Sequence, residues 1–535
     1  MAEVPDTPSS PPVPERWKPK FNPWLIAVVV ALAAFMEVLD TSIANVALPY
    51  IAGGLAASND QSTWVLTSYL AANAVVLPIS GWLAVRFGRK RFFLLCIVLF
   101  TVSSVLCGSA PSLGVLILFR ALQGAGGGGL QPMAQAILAD TFPPEKRGLA
   151  FAVYGITAVM APTVGPILGG WITYSYSWRW IFYINLPIGI LAVFLASRMV
   201  EDPPYLSQRR GAGIRLDYIG LAFLALGIGA LQVLLDKGQE DDWFGSRFIL
   251  TLSVISAICL ITLVVWEYFH RDPIMDLRLF KNFNFAMANL MMFILGVVYF
   301  SSLVLIPQLL QTLLGYTAQL AGMVLSASGV VLVLAMPIVG QLTTRIPAKY
   351  LIAFGWLVVA IAMLYSTQRT DLNISFKVAM WLRVAQAAGL PFLFVPITLA
   401  SYIGIPQEKS NDAAGLINFM RNIGSSVGTS MVTTLLARRA QFHQSVLSYH
   451  TTNYDPVFRN QTAGLSQQLI QSGTSAADAQ HQAYGVIYQS MQNQAQLLSY
   501  IDIYKLLAIG AGIMFLLAFL MRKNDPRAGG EVAVG

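Results

Sequence analysis

Charge is what this sequence has least of: 11% of its 535 residues are Asp, Glu, Lys or Arg, against about 25% in an ordinary soluble domain. That shortage excludes a water-facing globular surface. Cysteine is almost as scarce, and Cys96, Cys107 and Cys259 each lie inside an apolar run, offering neither a disulfide framework nor metal-ligand spacing. The four histidines, His270, His443, His450 and His481, also lack such spacing, so no metal site is expected. Neither H-E-x-x-H nor G-x-x-x-x-G-K-[ST] occurs, which argues against zinc-dependent hydrolysis and against work driven by nucleotide hydrolysis within this chain. Residues 1–23, rich in Pro and Ser, lack the short apolar core of a signal peptide and read as a disordered cytoplasmic tail.

What the sequence has instead is apolar length. Fifty-six per cent of the residues are apolar, and a bilayer-crossing helix needs about 20 of them in succession. Fourteen segments between residues 24 and 521 meet that need; the one at 412–436, which carries Arg421, is the most polar. The net charge of +8 is topological rather than a nucleic-acid footprint. With both termini cytoplasmic, 22 of the 34 Lys and Arg residues fall in inward segments and eight in outward ones, as the positive-inside rule requires. The expected fold is an all-α polytopic membrane protein.

The chain also repeats itself. Pro78-Ile79-Ser80-Gly81-Trp82-Leu83-Ala84-Val85-Arg86 reads against Pro337-Ile338-Val339-Gly340-Gln341-Leu342-Thr343-Thr344-Arg345 with five identities. Arg120-Ala121-Leu122-Gln123 and Pro143-Pro144-Glu145-Lys146 recur as Arg383-Val384-Ala385-Gln386 and Pro406-Gln407-Glu408-Lys409. The repeat divides the chain into a six-helix bundle (24–200), a linker with two inserted helices (201–270) and a second six-helix bundle (271–522), followed by a cytoplasmic tail (523–535). A parallel repeat of this kind suits halves that rock about a midplane site. Residues 437–500, too polar for a bilayer, are expected outside, with a helix at 476–498 presenting Tyr484, Ile487, Tyr488 and Met491 for docking.

Charges inside spans are costly and usually functional. Glu37 and Asp40 lie three residues apart on the first span, hence on one helix face. In low dielectric a carboxylate takes up a proton more readily than in water, which makes both candidate proton carriers, and Arg120 is their natural partner. Asn45, Gln123, Arg383, Asn418 and Arg421 are candidates for the substrate cavity or for helix contacts, and the two arginines would favour anionic substrates. The run Gly124-Ala125-Gly126-Gly127-Gly128-Gly129 fits a dinucleotide fingerprint by chance: no βαβ unit surrounds it, and glycines in a span bring helices close. Gly155, Pro162, Gly165, Pro166, Gly169 and Gly170 suit a bent helix at a moving seam. Gly81, Arg86, Gly88 and Arg89 belong to a tight cytoplasmic loop, whose Arg86, Arg89, Lys90 and Arg91 are expected at the surface, anchoring lipid headgroups or latching acidic residues.

Three motifs carry a family resemblance: Leu39-Asp40-Thr41-Ser42-Ile43-Ala44-Asn45-Val46-Ala47-Leu48-Pro49, Leu118-Phe119-Arg120-Ala121-Leu122-Gln123-Gly124, and Gly165-Pro166-Ile167-Leu168-Gly169-Gly170. With them, the chain resembles the fourteen-helix drug–proton antiporter branch of the major facilitator superfamily, EmrB/QacA-like, over residues 24–521. The loop motif Gly81-Trp82-Leu83-Ala84-Val85-Arg86-Phe87-Gly88-Arg89 departs from the family pattern, since Val85 replaces the usual acid. The resemblance implies a bacterial inner-membrane exporter of amphiphilic toxic compounds, driven by the proton gradient without a cofactor. It implies that Asp40 and Arg120 take part in proton coupling, and that the glycine-rich fifth span lies between the halves. It further implies a periplasmic adaptor of the EmrA kind and an outer-membrane channel as partners, with residues 437–500 as a contact. The alternative is a proton-coupled exporter dedicated to one metabolite, siderophore or fatty acid.

Overall fold

The computed structural model describes residues 19–203, 217–270, 273–449, 451–452 and 454–522. The expectations for most of the N-terminal tail and for the tail 523–535 lie outside these residues. Among them there is no strand, as the bilayer dictates, because a helix satisfies its own backbone where no water can. Thirteen helices are long and apolar enough to span: α1 Pro23–Gly54, α2 Trp64–Phe87, α3 Arg89–Gly108, α4 Leu113–Thr141, α5 Pro144–Ser175, α6 Trp180–Met199, α7 Tyr218–Lys237, α8 Arg247–Phe269, α9 Phe283–Leu313, α10 Ala318–Leu342, α11 Ala348–Arg369, α12 Phe376–Ala400 and α14 Ala476–Ala518. The segment at 412–436 falls short of that apolarity, yet it lies in α13, Ser410–Ser448, which packs among α2, α4, α9 and α14. Protein rather than lipid surrounds it, so its polar residues meet polar partners.

Helices α1–α6 and α9–α14 form the two bundles. They meet along two antiparallel seams. In one, α5 lies against α10 so closely that a Cβ on Gly148 would sit 2.8 Å from the Gly340 carbonyl oxygen. In the other, α2 faces α13, where a Cβ on Gly81 would sit 2.9 Å from the Asp412 amide nitrogen and one on Gly415 3.0 Å from the Leu77 oxygen. The inserted helix α7 touches both bundles. Gln232 and Ser426 exchange hydrogen bonds at 2.9 and 3.0 Å, and Thr67 donates to Asp236. Its companion α8 leaves Ile258, Ile261, Val264 and Val265 more than half exposed, as a lipid-facing helix should.

The polar segment 437–500 is largely helical rather than a loop. Helix α13 runs on to Ser448, a short helix spans Pro456–Gln471, and α14 begins at Ala476 and continues unbroken into the bundle. The expected docking face is partly spent on internal packing, since Tyr484 stacks on Phe458 with ring centroids 5.9 Å apart. Where the two long helices leave the bundle, Arg439 donates from Nε (2.8 Å) and Nη2 (2.5 Å) to Asp502, which His443 also meets at 2.8 Å.

Candidate functional site

Two carboxylates three residues apart on α1 end up in different surroundings. Asp40 is 1% exposed and turns into the N-terminal bundle. Arg120 donates to it from Nη1 at 2.5 Å, Gln123 from Nε2 at 2.9 Å and Asn185 from Nδ2 at 2.7 Å. Arg120 also donates to the Val65 carbonyl at 3.1 Å, and its guanidinium lies 4.4 Å from the Tyr69 ring centroid. The glycine run of α4 permits this, because a Cβ at Gly126 would sit 2.7 Å from the Phe100 nitrogen and one at Gly128 2.7 Å from the Asn73 oxygen. Such a buried pair offsets its own desolvation only with this many partners.

Glu37 instead faces the place where the bundles meet. Tyr69 Oη donates to its Oε1 at 3.0 Å, Asn73 Nδ2 to the same oxygen at 3.2 Å, and Gln131 Nε2 to Oε2. The Gln131 oxygen in turn accepts from Tyr154 Oη at 3.2 Å and from Arg421 Nη2 of α13. One turn further along α4, Gln135 and Asn418 exchange hydrogen bonds at 2.8 and 3.3 Å, and Asn422 donates to Asn73 at 3.4 Å. Phe394 of α12 closes the cluster, stacked on Tyr154 with centroids 6.1 Å apart and 5.7 Å from the Arg421 guanidinium. A carboxylate from one bundle and a cation from the other thus face each other through a single amide. Tyr69 touches both the Glu37 and the Asp40 groups.

Of the expected cavity residues, Gln123 belongs to the Asp40 group, Asn418 and Arg421 to the Glu37 group, and Asn45 is exposed on α1 and joined to neither. Arg383 is 1% exposed inside the C-terminal bundle, where it donates to Ser302 at 3.0 Å and lies 5.6 Å from the Tyr299 ring centroid. Sequence reading overlooked Tyr69, Asn73, Gln131, Tyr154, Gln135 and Asn185. The signal for two of them was present, because Gln131 and Gln135 are four apart and share one face of a span.

The loop between α2 and α3 corrects one expectation. Arg86 and Arg91 are exposed, but Arg89 is 1% exposed and bonds Asp140 at 2.6 Å and Ser410 of the other bundle at 3.5 Å. Gly88, at φ +90°, makes the turn that swings it inward. In α5, Gly165 and Gly169 face Ser42 and Ile43 of α1, within one bundle, while a Cβ on Gly170 would meet nothing within 4 Å. The seam takes Gly148 and Gly155, where a Cβ on Gly155 would sit 3.1 Å from Met336 of α10 and from Phe394 of α12. Gly424-Ser425-Ser426-Val427-Gly428 spells a hydrolase-like G-x-S-x-G, but it lies on an unbroken helix and Ser426 is bonded to Gln232, not on a strand-to-helix elbow.

Paired helix bundles with a buried carboxylate of one facing a half-buried arginine of the other where they meet define a membrane transporter rather than an enzyme. The fold is shared with solved structures: a proton:xylose symporter, XylE, superposes with a TM-score of 0.61 at 15% identity, over 95% of this chain and 98% of that one. The Major Facilitator Superfamily model matches residues 30–429. The chain is 39% identical to the multidrug export protein EmrB of Haemophilus influenzae, over 92% of this chain and 95% of that protein. It is 38% identical to the fatty acid resistance protein FarB of Neisseria gonorrhoeae, over 92% and 94%. The chain belongs to the Major Facilitator Superfamily, in its EmrB-type group, and is an integral membrane protein that moves small molecules.

Proposed function

We propose that this protein exports hydrophobic and amphiphilic toxic compounds across the bacterial inner membrane in exchange for protons. The observation that carries the reading is Glu37, a membrane-buried carboxylate held at the contact between the bundles and facing Arg421 through Gln131. A carboxylate there can exchange a proton with a compartment that the rocking bundles open, and its charge acts directly on their contact. Asp40 and Arg120 are the adjoining charge pair, linked to Glu37 through Tyr69, and take part in the same proton cycle. Substrate and proton favour different conformations, which couples their movements. Tyr154, Phe394 and Arg421 supply aromatic surface and a positive charge for the substrate. The helical segment 437–500 is the contact for a periplasmic adaptor, which would pass substrate to an outer-membrane channel.

The test is efflux of a lipophilic dye, driven by a pH gradient, from proteoliposomes holding wild type, Glu37→Gln or Asp40→Asn at matched density and orientation. Gradient-dependent flux in the wild type, lost in both variants while dye binding survives, is the expected result. Flux that survives in both removes the two carboxylates from the proton path. The similarity to FarB and the Arg421 cation beside Phe394 and Tyr154 favour a second reading, export of fatty acids. A transport panel separates the two, since a fatty-acid exporter moves decanoate and leaves unrelated dyes behind.

A further inference from the structure

Gln131 hydrogen-bonds both the carboxylate and the cation across the bundle contact. Its amide can face only one way while Glu37 is ionised, because a carboxylate only accepts hydrogen bonds and a guanidinium only donates them. Nε2 therefore donates to Glu37, and the amide oxygen accepts from Arg421 and Tyr154. Add a proton to Glu37 Oε2 and the geometry reverses. That oxygen now carries a donor, the amide turns its oxygen towards it, and its NH2 group is then aimed at Arg421, which has only donors to offer; the Tyr154 hydroxyl can rotate to accept, but the guanidinium cannot. Arg421 loses the Gln131 amide oxygen and keeps on the N-terminal bundle the neutral Tyr154 hydroxyl.

We propose that Gln131 is a positioning residue that reports the protonation of Glu37 to the contact between the bundles, holding Arg421 only while Glu37 is ionised. This deepens the proposed function and rests on its premise that Glu37 takes up a proton. The groups that bear on Glu37 are Tyr69 and Asn73 from α2, Gln131 from α4, Asp40 on its own helix and Arg421 from α13. Arg120 acts on it through Asp40 and Tyr69, and Tyr154 of α5 through Gln131. Tyr69 is the competitor: a proton on Oε1 could be met by rotation of its hydroxyl without disturbing Arg421.

The experiment places spin labels at Tyr174→Cys, at the end of α5, and Asp371→Cys, between α11 and α12, both exposed, with the buried native cysteines replaced by serine. Distances between the labels are read in reconstituted protein in mildly acid and mildly alkaline buffer. Wild type should shift between two populations with pH. Gln131→Leu should rest in the acid population at either pH, since Arg421 has lost the amide oxygen that ties it to Glu37. Gln131→Glu should rest in the alkaline one, since a carboxylate at this position binds Arg421 whatever Glu37 does. A purely structural glutamine would move both variants the same way, and that outcome, or a wild-type shift in Gln131→Leu, overturns the proposal. The Glu37→Gln variant separates the premise from the inference. If Glu37→Gln keeps the wild-type shift, the premise about Glu37 fails; if it abolishes the shift while Gln131→Leu retains it, the premise stands and the role of Gln131 fails.

Discussion

The same arginine stands at matching places in the two bundles, and the bundles treat it differently. Arg120 meets Asp40 at 2.5 Å, with Gln123 and Asn185 completing the shell. Arg383, its counterpart in the repeat, meets no carboxylate among the described residues: it donates to the Ser302 hydroxyl and lies against Tyr299, and its Nε has no hydrogen-bond partner. Gln386, the counterpart of Gln123, donates to Ser366 at 2.9 Å and leaves its oxygen unpartnered. The repeat has kept the cation and the amide but has a carboxylate in only one half. Asp40 is thereby neutralised inside the N-terminal bundle by Arg120, whereas Glu37 of the same bundle faces Arg421 of the C-terminal one through Gln131. Two bundles that differ in this way can respond to a proton by changing how strongly they attract each other.

The comparison is open to direct attack. Asp40→Leu strands a buried guanidinium and should lower stability by about 3–5 kcal/mol, read as the thermal unfolding midpoint of detergent-solubilised protein, with Arg120→Leu in the same chain recovering part of the loss. Arg383→Leu removes one charge-assisted hydrogen bond and strands no ion, so its cost should stay within roughly 1.5–3 kcal/mol; equal costs for the two would erase the difference between the bundles. Gln123→Leu takes a donor from an ionised carboxylate, Gln386→Leu only from a hydroxyl, and the first should exceed the second by about 1 kcal/mol in the same assay. The smallest effect tests the missing acid itself. Ser302→Asp puts a carboxylate beside Arg383 and should raise the midpoint by the equivalent of about 1 kcal/mol, an increase that Arg383→Leu in the same chain must abolish.

Much of the fold was legible because the bilayer leaves few choices. Apolar runs of helix length announced fourteen segments, of which thirteen are apolar enough to span among the described residues, and the offset between Arg120 and Arg383 announced the duplication. Helix α13 was the hardest to read, because its burial comes from neighbouring helices rather than lipid and its own residues need not be apolar. Arg120 was assigned from chemistry alone to the two carboxylates of α1, since a permanent cation in a span requires a counter-charge, and packing chose Asp40 of the two. The inward turn of Arg89 was missed, because basic residues beside a span normally mark the surface and only the bend at Gly88 redirects this one. Gln131 was missed because a neutral amide in a span carries no charge signal.

The sequence by itself determined that this is a polytopic helical protein built from two related bundles, and which residues in its spans are ionisable. Those properties follow from composition and spacing, which the bilayer reads one segment at a time. Only the tertiary structure decided that Asp40 and Glu37, neighbours on one helix, serve different contacts, one closed inside a bundle and one facing the other bundle. The physical reason is that helical periodicity sets which way a side chain leaves its helix within a wide arc. What lies in that direction, an arginine at 2.5 Å or an amide leading to the opposite bundle, depends on how the neighbouring helices pack.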